Sequence, residues 1–221
     1  MKFSLKILTT LAICILPLVS FCRNDAFWST IKLSYDTNDF LFSVEELIAF
    51  EDEVSSNELF MQAGYQFCDY FSALIGHRIY NEQIYGKPMR LIEHRPTLEL
   101  RFTVPEFCKL KFDFRTRFEL RDKTSNQPYM RYRQRIRLRT AWNVTSFKIS
   151  PYFHEELFFQ DKPGGNDSDL YDRNRSQFGV SFLPVPKCSD LSCNAYFMLQ
   201  HDLKDKWEVT NTYGIDFSYK F

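Results

Sequence analysis

The stretch YMRYRQRIRLRT, Tyr129–Thr140, sets Arg131, Arg133, Arg135, Arg137 and Arg139 on every second residue, with Tyr132, Ile136 and Leu138 between them. On a helix, at about 100° per residue, those guanidinium groups would spread around the circumference and leave no apolar face. In a β-strand all five fall on one side and the apolar residues on the other. In a soluble sandwich the apolar wall of such a strand would pack on a second sheet. In an outer-membrane barrel it would face lipid, and the arginines would line the lumen.

The same two-residue period runs through the flanking segments. Residues 91–104 oppose Glu93, Arg95, Thr97, Glu99 and Arg101 to Ile92, Leu98, Leu100 and Phe102. Residues 109–121 oppose Asp113, Arg115, Arg117, Glu119 and Arg121 to Phe112, Phe114, Phe118 and Leu120. Residues 144–160 set Ser150, Tyr152, His154 and Glu156 against Phe153, Leu157 and Phe159, with Pro151 and Glu155 breaking the pattern in the manner of a bulge. Residues 173–183 set Arg173, Arg175 and Gln177 against Phe178, Val180 and Phe182. Residues 28–35, 40–50, 59–67, 70–80 and 192–203 read as further strands, and 209–221 alternates up to its last residue.

Tight turns are predicted around Asp69, Pro105 and Asn143, and longer loops at 51–57, 81–88, 122–128 and 161–170. Short turns at one end and long loops at the other are what an outer-membrane barrel requires, and strands of about ten residues suit a tilted crossing. Eleven segments can be counted. An odd number would start the chain outside the cell, so the expectation is a single all-β, antiparallel up-and-down barrel of about ten strands, with 28–35 an incomplete span; twelve is the alternative.

Composition agrees with many aromatic-rich strands: 23 Phe and 12 Tyr against 7 Gly. The 28 bases and 28 acids balance, which argues against a nucleic-acid partner, since such proteins usually carry a basic excess. Residues 1–22 read as a signal peptide: Lys2 and Lys6, then an apolar run of about twelve residues, too short for a bilayer-spanning helix. Residues 23–221 would then form the barrel, secreted through the inner membrane and placed in the bacterial outer membrane.

The chain resembles a family of small Gram-negative outer-membrane β-barrels of unknown function. The motifs that carry this are RTRFELR (115–121), RYRQRIRLR (131–139), EELF (155–158) and DRNRSQFGV (172–180), within a likeness running from about Trp28 to Phe221. The resemblance implies location and fold and no established reaction; the cysteines depart from it. The ending Tyr213, Ile215, Phe217, Tyr219, Phe221 looks like the signal by which the barrel-assembly machinery recognises its clients.

The candidate functional residues are the arginines of the lumenal face: Arg115, Arg117, Arg121, Arg131, Arg133, Arg135, Arg137, Arg139, Arg173 and Arg175. Guanidinium forks hold carboxylate and phosphate bidentately, so this wall would attract small anionic solutes through a porin-like channel. The bland reading is structural: Glu93, Glu99, Asp113, Glu119 and Glu156 would pair with the arginines and plug a narrow lumen. A membrane-embedded hydrolase built on Ser150, His154 and Glu156 is a rival, weakened because neighbours on one strand point in parallel rather than converge. A soluble secreted β-sandwich that binds ligand is another. No catalysis, cofactor or metal is expected. Cys68, Cys108, Cys188 and Cys193 lie near turns at the same predicted end, where oxidising conditions permit disulfides within the chain or to envelope proteins.

Overall fold

A computed structural model describes residues 25–51, 54–85, 90–123, 128–140, 142–144, 147–161, 171–184, 190–203 and 207–221. The strands are β1 (Ala26–Thr37), β2 (Phe40–Glu51), β3 (Val54–Cys68), β4 (Phe71–Ile84), β5 (Arg90–Thr103), β6 (Leu110–Lys123), β7 (Tyr129–Thr140), β8 (Trp142–Val144), β9 (Phe147–Asp161), β10 (Tyr171–Phe182), β11 (Leu191–Leu203) and β12 (Trp207–Lys220). Each long strand pairs antiparallel with the next, β7 passing directly to β9, while β8 pairs only with β9. The ring closes where β1 meets β12 in parallel, from Ala26↔Thr212 to Ser34↔Lys220. Among the described residues this is one closed barrel of eleven strands.

That number corrects the expectation of ten or twelve. An even number follows only where the seam is antiparallel. Residues 26–37 instead form a full strand that runs alongside β12, and an odd ring of otherwise antiparallel strands must contain one parallel junction. Parallel pairing is only slightly weaker per residue, so the junction is tolerated. Its consequence is positional: Asp25, ahead of β1, and Phe221, after β12, lie at opposite ends of the barrel, respectively its N-terminal and C-terminal ends.

The expected contrast in loop length is also softened. β2 and β3 are joined through Glu51↔Val54, so most of the stretch read as a polar loop at 51–57 is strand. Ser56 and Glu58 are polar because they line the interior cavity, and a polar run does not distinguish a lumenal strand from a loop. At the C-terminal end, the link between β10 and β11 is longer than the two-residue links at Asn38–Asp39 and Asp69–Tyr70. The turn near Pro105 is tightest two residues later. Cys108 and Lys109 both take positive φ, 51° and 64°, the backbone of a hairpin whose twist matches its strands.

Side chains divide cleanly between the two surfaces. Outside lies an apolar skin: Ile31, Leu33, Phe40, Val44, Met61, Leu98, Phe102, Ile136 and Phe178 are all exposed, and Ile75 is 67% exposed. Cross-strand aromatic pairs run through it, Phe153 with Phe178 at 4.9 Å and Phe40 with Tyr65 at 5.3 Å, each contributing about 0.2–1 kcal/mol. Inside, Glu93, Glu99 and Glu119 are fully buried and Arg117, Arg131 and Arg133 nearly so. A soluble sandwich would reverse this, apolar within and polar without.

Two interior glycines shape the lumen. A Cβ on Gly179 would strike the Tyr152 ring at 2.5 Å, and one on Gly214 the Tyr196 ring at 2.0 Å. Each glycine is the cross-strand partner of the tyrosine lying over it. The bare backbone lets the ring fold flat against the wall instead of projecting inward.

Candidate functional site in the lumen

The strand periodicity carries long charged side chains from β3 through β10 into the interior, where they meet as a lattice. Glu58 holds Arg78 and, at 3.0 Å, Arg95; Arg95 passes to Glu93 at 3.0 Å, and Glu93 to Arg121. A second chain runs deeper. Glu99 accepts from Arg101 and Arg117, both at 2.6 Å. Glu119 accepts from Arg131 at 2.7 Å and Arg133 at 2.9 Å. Glu156 accepts from Arg133 at 2.8 Å and Arg115 at 2.6 Å. Nearer the C-terminal end, Asp113 takes Arg137 and Arg139, each at 3.1 Å. Phe60 lies beneath Arg78 and Arg117, at 4.2 and 4.8 Å from its ring centre, and joins the two chains through their π-faces.

All five acids singled out from the sequence therefore meet arginines singled out with them. Arg173 pairs with Asp172 at 2.9 Å and Asp202 at 3.1 Å. Several lattice members escaped the sequence reading. Glu58 falls between the loop expected at 51–57 and the strand expected from residue 59. Asp172 is on the lumenal side only because β10 has a bulge between Tyr171 and Arg173, which turns two successive residues inward. The bulge is there rather than at Pro151 or Glu155, and simple alternation cannot announce it. Arg78 stands alone among apolar neighbours in sequence and gave no ladder signal.

The lattice leaves open a cavity of about 1060 Å³. Its lining begins at Glu51, Glu82 and Lys123 near the N-terminal end and runs to Arg137, Tyr152 and Asp216 part-way down. Arg101, Asp113 and Arg139, further toward the C-terminal end, lie outside it. Nine of the ten sequence-selected arginines line the cavity; Arg139 is the exception. Counting Arg78, Arg95 and Lys123, twelve basic side chains face nine carboxylates there.

The hydrolase constellation does not assemble. Glu156 spends its oxygens on Arg115 and Arg133 rather than orienting His154, whose Nδ1 is buried without a partner. Ser150 does not line the cavity. Among the described residues no group of three or more metal-ligating side chains comes together. Cys68 and Cys108 are exposed free thiols at the C-terminal end. Cys193 is buried on β11, and Cys188 lies outside the described residues, as does the signal segment 1–22. Of the terminal aromatic series, Tyr213 and Phe221 are exposed on the outer skin, while Phe217 is covered beside its partners Ile31 and Cys193.

The model of a family described as "Protein of unknown function (DUF2490)" matches residues 25–211. Among solved structures, one titled a NanC porin in a rhombohedral crystal form is similar at TM-score 0.50 and 12% identity, over 79% of this chain and 84% of that one. LpxR from Salmonella typhimurium is similar at TM-score 0.51 and 8% identity, over 83% and 84%. At such identities the likeness concerns the fold alone. No curated protein matches the chain in sequence.

Proposed function

The chain belongs to the DUF2490 family, and from that starting point we propose that it is a non-catalytic bacterial outer-membrane barrel that admits small anionic solutes to an arginine-walled lumen. The observation that carries this reading is the cavity itself: about 1060 Å³ of space inside a closed barrel, with eleven arginines on its wall. The apolar outer skin supports a lipid surrounding, because a monomer in water rarely exposes so much contiguous apolar area. A fold shared with a porin is consistent with passage through the lumen.

The lattice carboxylates give the arginines a second role as a fixed framework. An arginine buried alone is costly, whereas one held between two carboxylates keeps its charge and its direction. The wall is thus rigid, and its cationic excess is modest and localised. This favours small conductance and selection by charge over bulk flow.

A second reading has its own support. The cavity ends before the C-terminal mouth, where Asp113, Arg137 and Arg139 pair. On this reading the barrel is closed and structural.

Planar-bilayer recording of the refolded protein under a salt gradient separates the two. Small channels with a reversal potential on the anion side are expected; cation preference, or silence from protein that still shows the heat-modifiable gel shift of a folded barrel, would reject the anion path. Location has a separate test. Ile75→Arg puts a charge on the outer skin and should destabilise the lipid-reconstituted barrel by about 2–4 kcal/mol if that position lies at the membrane midplane. An unchanged unfolding midpoint in vesicles would remove lipid from the outer face.

A further inference from the structure

One row of interior side chains differs from the rest of the lattice. Arg115, Arg135, Glu156 and Arg175 are successive cross-strand partners on β6, β7, β9 and β10. Three guanidinium groups thus share a level with one carboxylate. Glu156 gives its oxygens to Arg115, at 2.6 Å, and to Arg133 from the neighbouring level, at 2.8 Å. Among the described residues, Arg135 and Arg175, which flank Glu156 directly, have no carboxylate within ion-pairing distance. Both line the cavity.

Arg175 is held in place without being neutralised. Its Nε donates to Gln200 at 2.6 Å, and the guanidinium lies over Trp28 at 4.8 Å and Phe158 at 4.9 Å from the ring centres. These contacts orient the fork and leave its charge unopposed. The Arg135 Nε is buried without a hydrogen-bond partner. The next inward-facing residue of β9 is His154, level with Arg137 and Gln177, only 8% exposed and lining the same cavity with Nδ1 buried and unpartnered. Three donors are therefore gathered at two adjacent levels of the cavity, and the carboxylate between two of them is already occupied.

We propose that Arg135, Arg175 and His154 form a binding site for a small anion, one carrying a phosphate or carboxylate group. Two unopposed guanidinium groups exclude a metal cation and disfavour a neutral apolar guest. β7 and β10 are separated by β9 alone, so their backbones lie about 10 Å apart, twice the interstrand spacing. Extended arginine side chains from both strands reach over Glu156 from that distance, and each fork matches two oxygens of such an anion. The Nδ1–H of the neutral histidine supplies a further donor in one tautomer. This site rests on the anion-lumen reading for access from solution, but binding does not require that the lumen conduct.

The test is titration calorimetry of the full mature barrel in detergent micelles, with inorganic phosphate and then succinate as probes. The wild-type barrel is compared with the double variant Arg135→Gln, Arg175→Gln. Lys220→Gln, at an exposed basic position that does not line the cavity, serves as the control, and the heat-modifiable gel shift verifies folding of each. Saturable binding of at least one probe, weakened tenfold or more in the double variant and retained in the control, is expected. Binding that is absent in folded wild-type protein, or equally strong in the double variant, overturns the site. The same preparations go into the planar bilayer: binding without conductance would reject the anion path and leave the site standing.

Discussion

The lumen has two unlike walls. From β4 to β10 the interior is built of arginine and its carboxylate partners, whereas β1, β2, β11 and β12 contain no arginine at all. The second wall presents Trp28, Thr30, Glu45, Ala49, Asn194, Met198, Thr210 and Asp216, with Tyr196 laid flat over Gly214. Paired arginines fill one half of the barrel, the other carries a mixed set of small, aromatic and acidic side chains, and the open space lies between the two. The lesson is that a narrow barrel need not be all plug or all pore. One wall can be solid with ion pairs while the other, built without arginine, encloses a cavity with it.

The sharpest way to break this comparison is to remove one carboxylate from the solid wall. Glu119→Ala strands Arg131 and leaves Arg133 with Glu156 alone, and should cost about 3–5 kcal/mol in unfolding free energy, measured by urea titration in detergent. A loss below about 1 kcal/mol would mean that water already screens these pairs. A smaller effect is expected on the quiet wall. Gly214→Ala drives a methyl group into the Tyr196 ring and should cost about 1–3 kcal/mol, most of it recovered when Tyr196→Ala is added, because the two residues share one contact. Strict additivity in that cycle would show that the ring does not rest on the glycine. Smallest of all, Thr210→Val, a near-isosteric change at the cavity edge, should stay within about 0.5 kcal/mol.

The difference between the walls also explains what could be read beforehand. Alternation in 91–104, 109–121 and 129–140 assigns each residue to a face because the period of a strand is two and the interior is wet. Pairing of those arginines with Glu93, Glu99, Asp113, Glu119 and Glu156 follows once neighbouring strands are in register. The quiet wall carries no comparable pattern. Whether Thr212 or Gly214 borders a cavity depends on how Tyr196 lies, a packing detail that periodicity does not encode. Asp172 enters through a bulge, and one extra residue in a strand is invisible to a two-residue count. Strand number is illegible for a different reason: eleven segments are visible, but nothing in their periodicity announces a parallel closure.

That parallel seam has a topological corollary. In a barrel with an even number of antiparallel strands, epitopes fused to the two termini of the mature polypeptide would decorate the same side of the envelope. Here β1 and β12 point the same way, so if the barrel spans the outer membrane as proposed, an epitope ahead of Asp25 and another behind Phe221 would be displayed to opposite compartments. Protease shaving of intact cells would clip one and spare the other.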